Sequence, residues 1–240
     1  SGGTVTTTTG STTWVINNGT FGVKVFGTFN ANAAGGSFGC CGTVSIENGG
    51  VVNMNAGGAF FGPTTVQAGG TVNGNTPINL GAGTIVNNGT WTMTGSNAIT
   101  LNSGGTFTNN GALAWKAGTL SGTLTNNGTV TWAGGTMTSS PLGTINNSPG
   151  ATFTMTGATA QNGAINNQGT FTWAGGSMLS YTAVGTFLNT TGSVFNMTGV
   201  SGSNTFYQAI TNHGTINFTG SGKLTPNPGT SITNTGAINV

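Results

Sequence analysis

The segment Asn127-Gly128-Thr129-Val130-Thr131-Trp132-Ala133-Gly134-Gly135-Thr136-Met137 returns 41 residues later as Gln168-Gly169-Thr170-Phe171-Thr172-Trp173-Ala174-Gly175-Gly176-Ser177-Met178. Both copies run in the same direction, and both place a glycine turn before a short alternating strand. Thr152-Phe153-Thr154-Met155 likewise returns as Val194-Phe195-Asn196-Met197, 42 residues on. Outward from these copies, a glycine followed by threonine and an apolar residue occurs sixteen times between Gly3-Thr4-Val5 and Gly214-Thr215-Ile216. Self-similarity at a fixed short period is the mark of a stacked array, in which each unit buries its apolar face only against its neighbours.

The apolar period within a unit is two, so each unit is built of strands. Phe171 and Trp173 share one side of their strand, and Thr170 and Thr172 take the other. The same inward columns read Trp91/Met93, Leu113/Trp115, Val130/Trp132, Phe153/Met155, Phe195/Met197 and Ile216/Phe218. A sustained 3.6-residue period is absent, and glycine and threonine are poor helix formers. Turn glycines at Gly50, Gly70, Gly89, Gly111, Gly128, Gly150, Gly169, Gly192, Gly214 and Gly236 set a coil of about 20 residues. In the Asn-Gly turns, glycine is expected to supply positive φ. Asparagines repeated at one corner are expected to hydrogen-bond up and down the stack. A hairpin meander is the competing reading of Asn-Gly. Parallel stacking is preferred because it aligns identical side chains.

The expected fold is therefore all-β: a single-stranded parallel β-helix of about 11 coils, one domain over residues 1–240. Residues 50–240 are the regular repeats. Residues 1–49 are less regular first coils or a loop, since residues 20–49 break the pattern and hold Lys24, Glu47 and the cysteines.

Glycine (46), threonine (48) and asparagine (31) make up 125 of the 240 residues, and only 2% are charged. The chain contains neither Asp nor Arg, and its ionisable side chains are Lys24, Lys116, Lys223, Glu47 and His213 beside Cys40, Cys41 and two tyrosines. Binding a nucleic acid requires clustered Lys or Arg to neutralise phosphates, so no nucleic-acid partner is expected. The apolar runs are too short for a membrane span, so no membrane insertion is expected. Glycoside hydrolysis by a carboxylate pair needs a second acid beside Glu47. A nucleophilic triad needs a carboxylate near His213, which sits in a turn. A zinc site needs more ligands than two adjacent cysteines and one histidine. No catalytic, cofactor-binding or metal-binding residues are assigned, and the chain is read as not an enzyme.

Adjacent strand residues point to opposite faces, so Cys40 and Cys41 are poorly placed to bond each other. Two readings stay open: one buried residue with one surface thiol, which is preferred, or a disulfide to another subunit. Sequons such as Asn88-Gly89-Thr90 and Asn196-Met197-Thr198 permit a surface glycan without arguing for one.

The two ends carry the functional reading. Ser1, Gly2, Gly3, Thr4 and Val5 continue the repeat pattern, as do Thr235, Gly236, Ala237, Ile238, Asn239 and Val240. A solenoid end exposes an unpaired strand edge, and head-to-tail contact that does not close gives a filament. Low charge removes the repulsion that keeps copies apart. The leading expectation is a structural subunit of an extracellular homopolymeric filament whose partners are copies of itself. The alternatives are a cell-surface adhesin and, ranked lower, an ice-binding protein carrying outward rows such as Thr90/Thr92, Thr152/Thr154 and Thr170/Thr172.

Repeats such as Asn-Asn-Gly-Thr-Val-Thr and Gly-Thr-Ile-Asn-Asn resemble the β-solenoid regions of bacterial filamentous-haemagglutinin-like and autotransporter-passenger proteins. The resemblance covers nearly the whole chain but is compositional. It implies a right-handed parallel β-helix, export to the cell surface and an adhesive or structural role. The start at Ser1, without Met, is read as a processed, exported form, consistent with an extracellular or cell-surface location.

Overall fold

A computed structural model describes residues 4–7, 15–16, 22–32, 37–38, 42–56, 58–60, 62–75, 78–80, 83–93, 99–101, 104–116, 118–137, 143–157, 159–161, 163–175, 178–179, 185–199, 203–206, 208–219, 223–226 and 230–240. Among these the chain is all-β and helix-free, a parallel β-solenoid with three strand-bearing faces. The first face holds twelve strands, from Thr4–Thr7 to Ala237–Asn239; the second holds nine and the third eleven. A separate pair joins Ser203–Phe206 to Lys223–Pro226. The single figure of about 11 coils therefore does not describe every face. Residues 20–49 contribute Val23–Val25, Thr28–Ala31 and Val44–Ile46 to the first and third faces.

Register follows from chemical identity. Thr129 pairs with Thr152 and Thr152 with Thr170, and beside them Val130, Phe153 and Phe171 stand in one column. Because side chains alternate along a strand, these columns are wholly inside or wholly outside. Phe153 and Phe171 are fully buried and stack with centroids 5.0 Å apart and an interplanar angle of 6°. Trp115 and Trp132 stack at 4.9 Å and 11°. The next column reads Trp132, Met155, Trp173, Met197. This alternation explains the 41-residue echo: a flexible thioether fills the space between two indoles. Burying one such side chain contributes about 1.5–3 kcal/mol.

The corner between the third and first faces carries two asparagine ladders. The inner one joins Asn87, Asn109, Asn126, Asn147, Asn167, Asn189, Asn212 and Asn234 through amide–amide bonds of 2.6–2.9 Å. Each donor amide from Asn87 to Asn212 also donates to a backbone carbonyl of the next coil, such as Asn126 Nδ2 to Thr152 O at 3.0 Å. An outer ladder joins Asn88, Asn110, Asn127 and Ser148.

The Asn-Gly glycines meet one expectation only in part. Gly49, in Asn48-Gly49, has positive φ (76°), but Gly89, Gly111 and Gly128 do not, and other positive-φ glycines include Gly150 (φ 79°) and Gly192 (φ 83°) in four-residue turns. In those turns Ala151 and Ser193, not Gly150 and Gly192, occupy the column of Gly128, Gly169 and Gly214, accepting the equivalent backbone bonds. Gly111 lies outside the left-handed region, but a Cβ there would overlap the carbonyl oxygen of Gly89 in the coil below. Glycine is needed at that turn for close approach between coils, not for its dihedral freedom.

Candidate functional site

The end of the stack nearest the C-terminus exposes the interior of the coil. Ile232–Asn234 pairs with Ala209–Asn212, and Ala237–Asn239 pairs with Thr215–Phe218. The opposite edge of each carries no strand among the described residues. Ile210 and Ile216 are 1% and 4% exposed, whereas Ile232 and Ile238, which continue their columns, are 38% and 47% exposed. Together with Met197, Phe218 and Val240, these four isoleucines line an apolar cavity of about 240 Å³. Val240 is fully exposed.

The inner ladder ends here too. Asn234 Oδ1 accepts from Asn212 Nδ2 at 2.6 Å, and Asn234 Nδ2 donates to Gly236 O at 3.1 Å. An amide nitrogen has two protons, so one N–H of Asn234 remains for a further rung. On the outer surface Asn239 Nδ2 donates to Asn217 Oδ1 at 2.8 Å, and His213 Nδ1 lies 2.6 Å from Thr235 Oγ1. The end therefore offers strand edges, apolar columns and an amide, all in the geometry of one more coil.

At the other end Thr4–Thr7 pairs with Thr28–Ala31, and its second edge is unpaired among the described residues. Thr4 and Val5 lie in that strand. Ser1, Gly2 and Gly3 fall outside the described residues, as do Cys40 and Cys41. Close by, Phe26 is 60% exposed. Lys24 Nζ pairs with Glu47 Oε1 at 3.6 Å, an exposed contact of the kind worth about 0–1 kcal/mol.

Of the residues assigned from sequence at the C-terminal end, Ile238 and Val240 line the cavity, while Ala237 and Asn239 belong to the edge strand. Gly236 fits beneath Ala237 by close approach to Gly214 O. Ile232 and Asn234 were missed. Their signal lay in column alignment: Ile232 continues Ile210, and Asn234 continues Asn212.

On the flank, Thr129/Thr131, Thr152/Thr154 and Thr170/Thr172 form in-register rows, but Ala112 and Ala114 stand between them and Thr90/Thr92. A lateral recess of about 170 Å³ is lined by Asn146, Asn147, Ser148, Asn166, Gln168, Leu188 and Thr190. Among the described residues no three His, Cys, Asp or Glu side chains come together to hold a metal ion, and no helix is long and apolar enough to cross a membrane. Comparison with family models, with curated proteins and with solved structures found no match.

Proposed function

We propose that the chain is a structural subunit of an extracellular homopolymeric filament, assembled end to end through unpaired solenoid edges. The observation that carries this reading is the open C-terminal end, where Ile232, Ile238 and Val240 leave the core columns in contact with solvent. A second copy is the occupant of matching chemistry. Its own coil presents parallel strand edges that can take up the free backbone groups, as in β-augmentation, and apolar columns that can cover the cavity. The formal net charge of +2 over 240 residues offers little repulsion to such contact.

Negative-stain imaging and sedimentation of the purified native material test it. Rods one solenoid wide, lengthening with protein concentration, are expected. Monodisperse 23.6 kDa monomers at high concentration in mild buffer would sink the reading. A monomer whose end face is covered by another molecule, or by further residues of the same chain, would assign that face to a different occupant.

The lateral recess beside Leu188 supports a second reading, a surface adhesin whose amides and hydroxyls hold a polar ligand such as a glycan. It ranks lower because the large aromatics among the described side chains are inside, Phe26 excepted. A glycan-array screen with the lateral variant Leu188→Lys separates it from assembly.

A further inference from the structure

Five Asn-Gly pairs lie wholly within the described residues: Asn48-Gly49, Asn73-Gly74, Asn88-Gly89, Asn110-Gly111 and Asn127-Gly128. This dipeptide is chemically labile. Glycine has no side chain to shield its nitrogen, so that nitrogen can attack the neighbouring Asn Cγ. Attack requires a glycine N–H that is not held elsewhere and a side-chain amide free to turn.

Four of the pairs fail one of these conditions. Gly111 N donates to Asn87 O and Gly128 N to Asn109 O, both at 3.0 Å. Gly49 N donates to Gly69 O at 3.1 Å. Gly74 lies in a strand paired on both sides, and Asn73 Nδ2 is held by Asn53 Oδ1 at 2.8 Å. In the outer ladder, Asn127 Nδ2 donates to Asn110 Oδ1 and Asn110 Nδ2 to Asn88 Oδ1, each at 2.7 Å, while Ser148 Oγ donates to Asn127 Oδ1 at 2.5 Å. Asn110 and Asn127 are thus fixed at both amide atoms.

Asn88-Gly89 is different. In the coil below, Gln67 follows Val66 at this register position, but its Nε2 donates to Ser45 Oγ at 3.3 Å and it makes no bond to Asn88, so the ladder stops and Asn88 Nδ2 has no partner among the described residues. Gly89 N has no acceptor among them either, unlike Gly111 N and Gly128 N. Both residues are half-buried, within reach of solvent.

We propose that Asn88 is a self-modification site, the one of the five described Asn-Gly pairs that converts to a carboxylate in the folded chain. Hydroxide removes the Gly89 N–H proton, and the nitrogen attacks Asn88 Cγ. The new C–N bond closes a succinimide, and the side-chain nitrogen leaves as ammonia. Water then opens the ring to an aspartate or isoaspartate at position 88. The ladder tolerates aspartate at this place alone. Position 88 only accepts from Asn110, and a carboxylate accepts more strongly than an amide. Positions 110 and 127 must donate as well as accept. The reaction adds a carboxylate to a chain whose sole acidic side chain is Glu47, lowering the formal net charge of +2 by one.

The test is incubation of the folded full chain in mildly alkaline buffer, with peptide mapping by mass spectrometry at intervals and the guanidinium-unfolded chain as reference. Conversion at position 88 several-fold faster than at 48, 73, 110 and 127 is expected when folded, with the five rates drawn together on unfolding. Equal folded rates, a lead for 110 or 127, or an intact Asn88 after the unfolded chain has reacted would overturn the proposal. Thermal melts give a second readout: Asn88→Asp is expected to melt no lower than the parent, and Asn110→Asp and Asn127→Asp lower. Asn88→Asp melting as low as the other two would also overturn it.

Discussion

Asn147 Nδ2 donates to Asn167 Oδ1 at 2.8 Å inside a corner where both side chains are almost completely buried. The same nitrogen reaches Thr170 O at 3.0 Å, while Asn147 Oδ1 accepts from Asn126 Nδ2 at 2.8 Å. Only an N–H can face two oxygens, so the backbone carbonyl fixes the amide orientation, and the inner ladder runs in one sense from Asn87 to Asn234. The surface ladders run oppositely: Asn110 donates down to Asn88, Asn166 to Asn146 and Asn217 to Asn196. The amide dipoles of the two sets therefore oppose each other across the wall of the coil.

Position within the inner ladder decides what a substitution costs. Asn147→Ala strands Asn126 Nδ2 on one side and Asn167 Oδ1 on the other. With about 1–3 kcal/mol for each buried group left unpaired, denaturant unfolding should show a loss of about 2–6 kcal/mol. Asn87→Ala should cost less. Asn87 follows Val66 in its column and its buried Oδ1 already lacks a donor, so only the Asn109 side is stranded. Equal losses at the two positions would contradict a directional ladder.

The turn glycines divide into two physical kinds, and alanine substitution separates them. Gly150 has positive φ and open space where a Cβ would go. Gly150→Ala should cost about 1–2 kcal/mol, the penalty for the left-handed region. Gly111→Ala forces a methyl group into the Gly89 carbonyl oxygen and must shift two coils, at about 3 kcal/mol or more. Thermal melts giving the reverse order would refute the close-approach account.

Along the core, Trp132 stacks on Trp115, meets Phe153 edge-on with centroids 6.0 Å apart, and donates its indole N–H to Gly134 O. Trp132→Ala opens a cavity between two coils that cannot collapse without losing register, and should destabilise by about 3–5 kcal/mol. Met155→Leu, in the same column, keeps volume and apolarity and should cost less than about 1.5 kcal/mol. Both values are read from denaturant midpoints at constant m.

The sequence made the inward columns legible because strand alternation and coil period are both written in residue type. Phe153/Met155 and Phe171/Trp173 needed no further information. The asparagine corner was legible for the same reason, but not its two layers, because Asn87 and Asn88 are the same residue type, one fully buried and the other half-buried. The column of turn glycines was misread at Gly150 and Gly192. A four-residue turn and an Asn-Gly turn both end near a glycine, and only the backbone reveals which residue stacks. At the candidate site Ile238 stood out as apolar and near the end. Ile232 was hidden because Pro226, Pro228 and Gly229 interrupt the pattern before it.

End-to-end assembly has an electrostatic signature of its own. Contact through Ile232, Ile238 and Val240 is apolar, and the chain has few charges to screen, so the extent of polymerisation should barely change between low and high salt. Ile232→Lys with Ile238→Lys places two ammonium groups at the open end. These positions are 38% and 47% exposed in the single chain, so the folded monomer can carry the charges in water with little loss of stability. Docking would bury them without a partner, which is costly. Sedimentation should therefore show the double variant monomeric at concentrations where the parent forms rods. Its melting temperature should stay near that of the unassembled parent. Rods that persist in the double variant would remove the C-terminal face from the assembly contact. A variant that unfolds as well would show that the two isoleucines hold the last coil together, and Val240→Lys, on a fully exposed residue, would then carry the test.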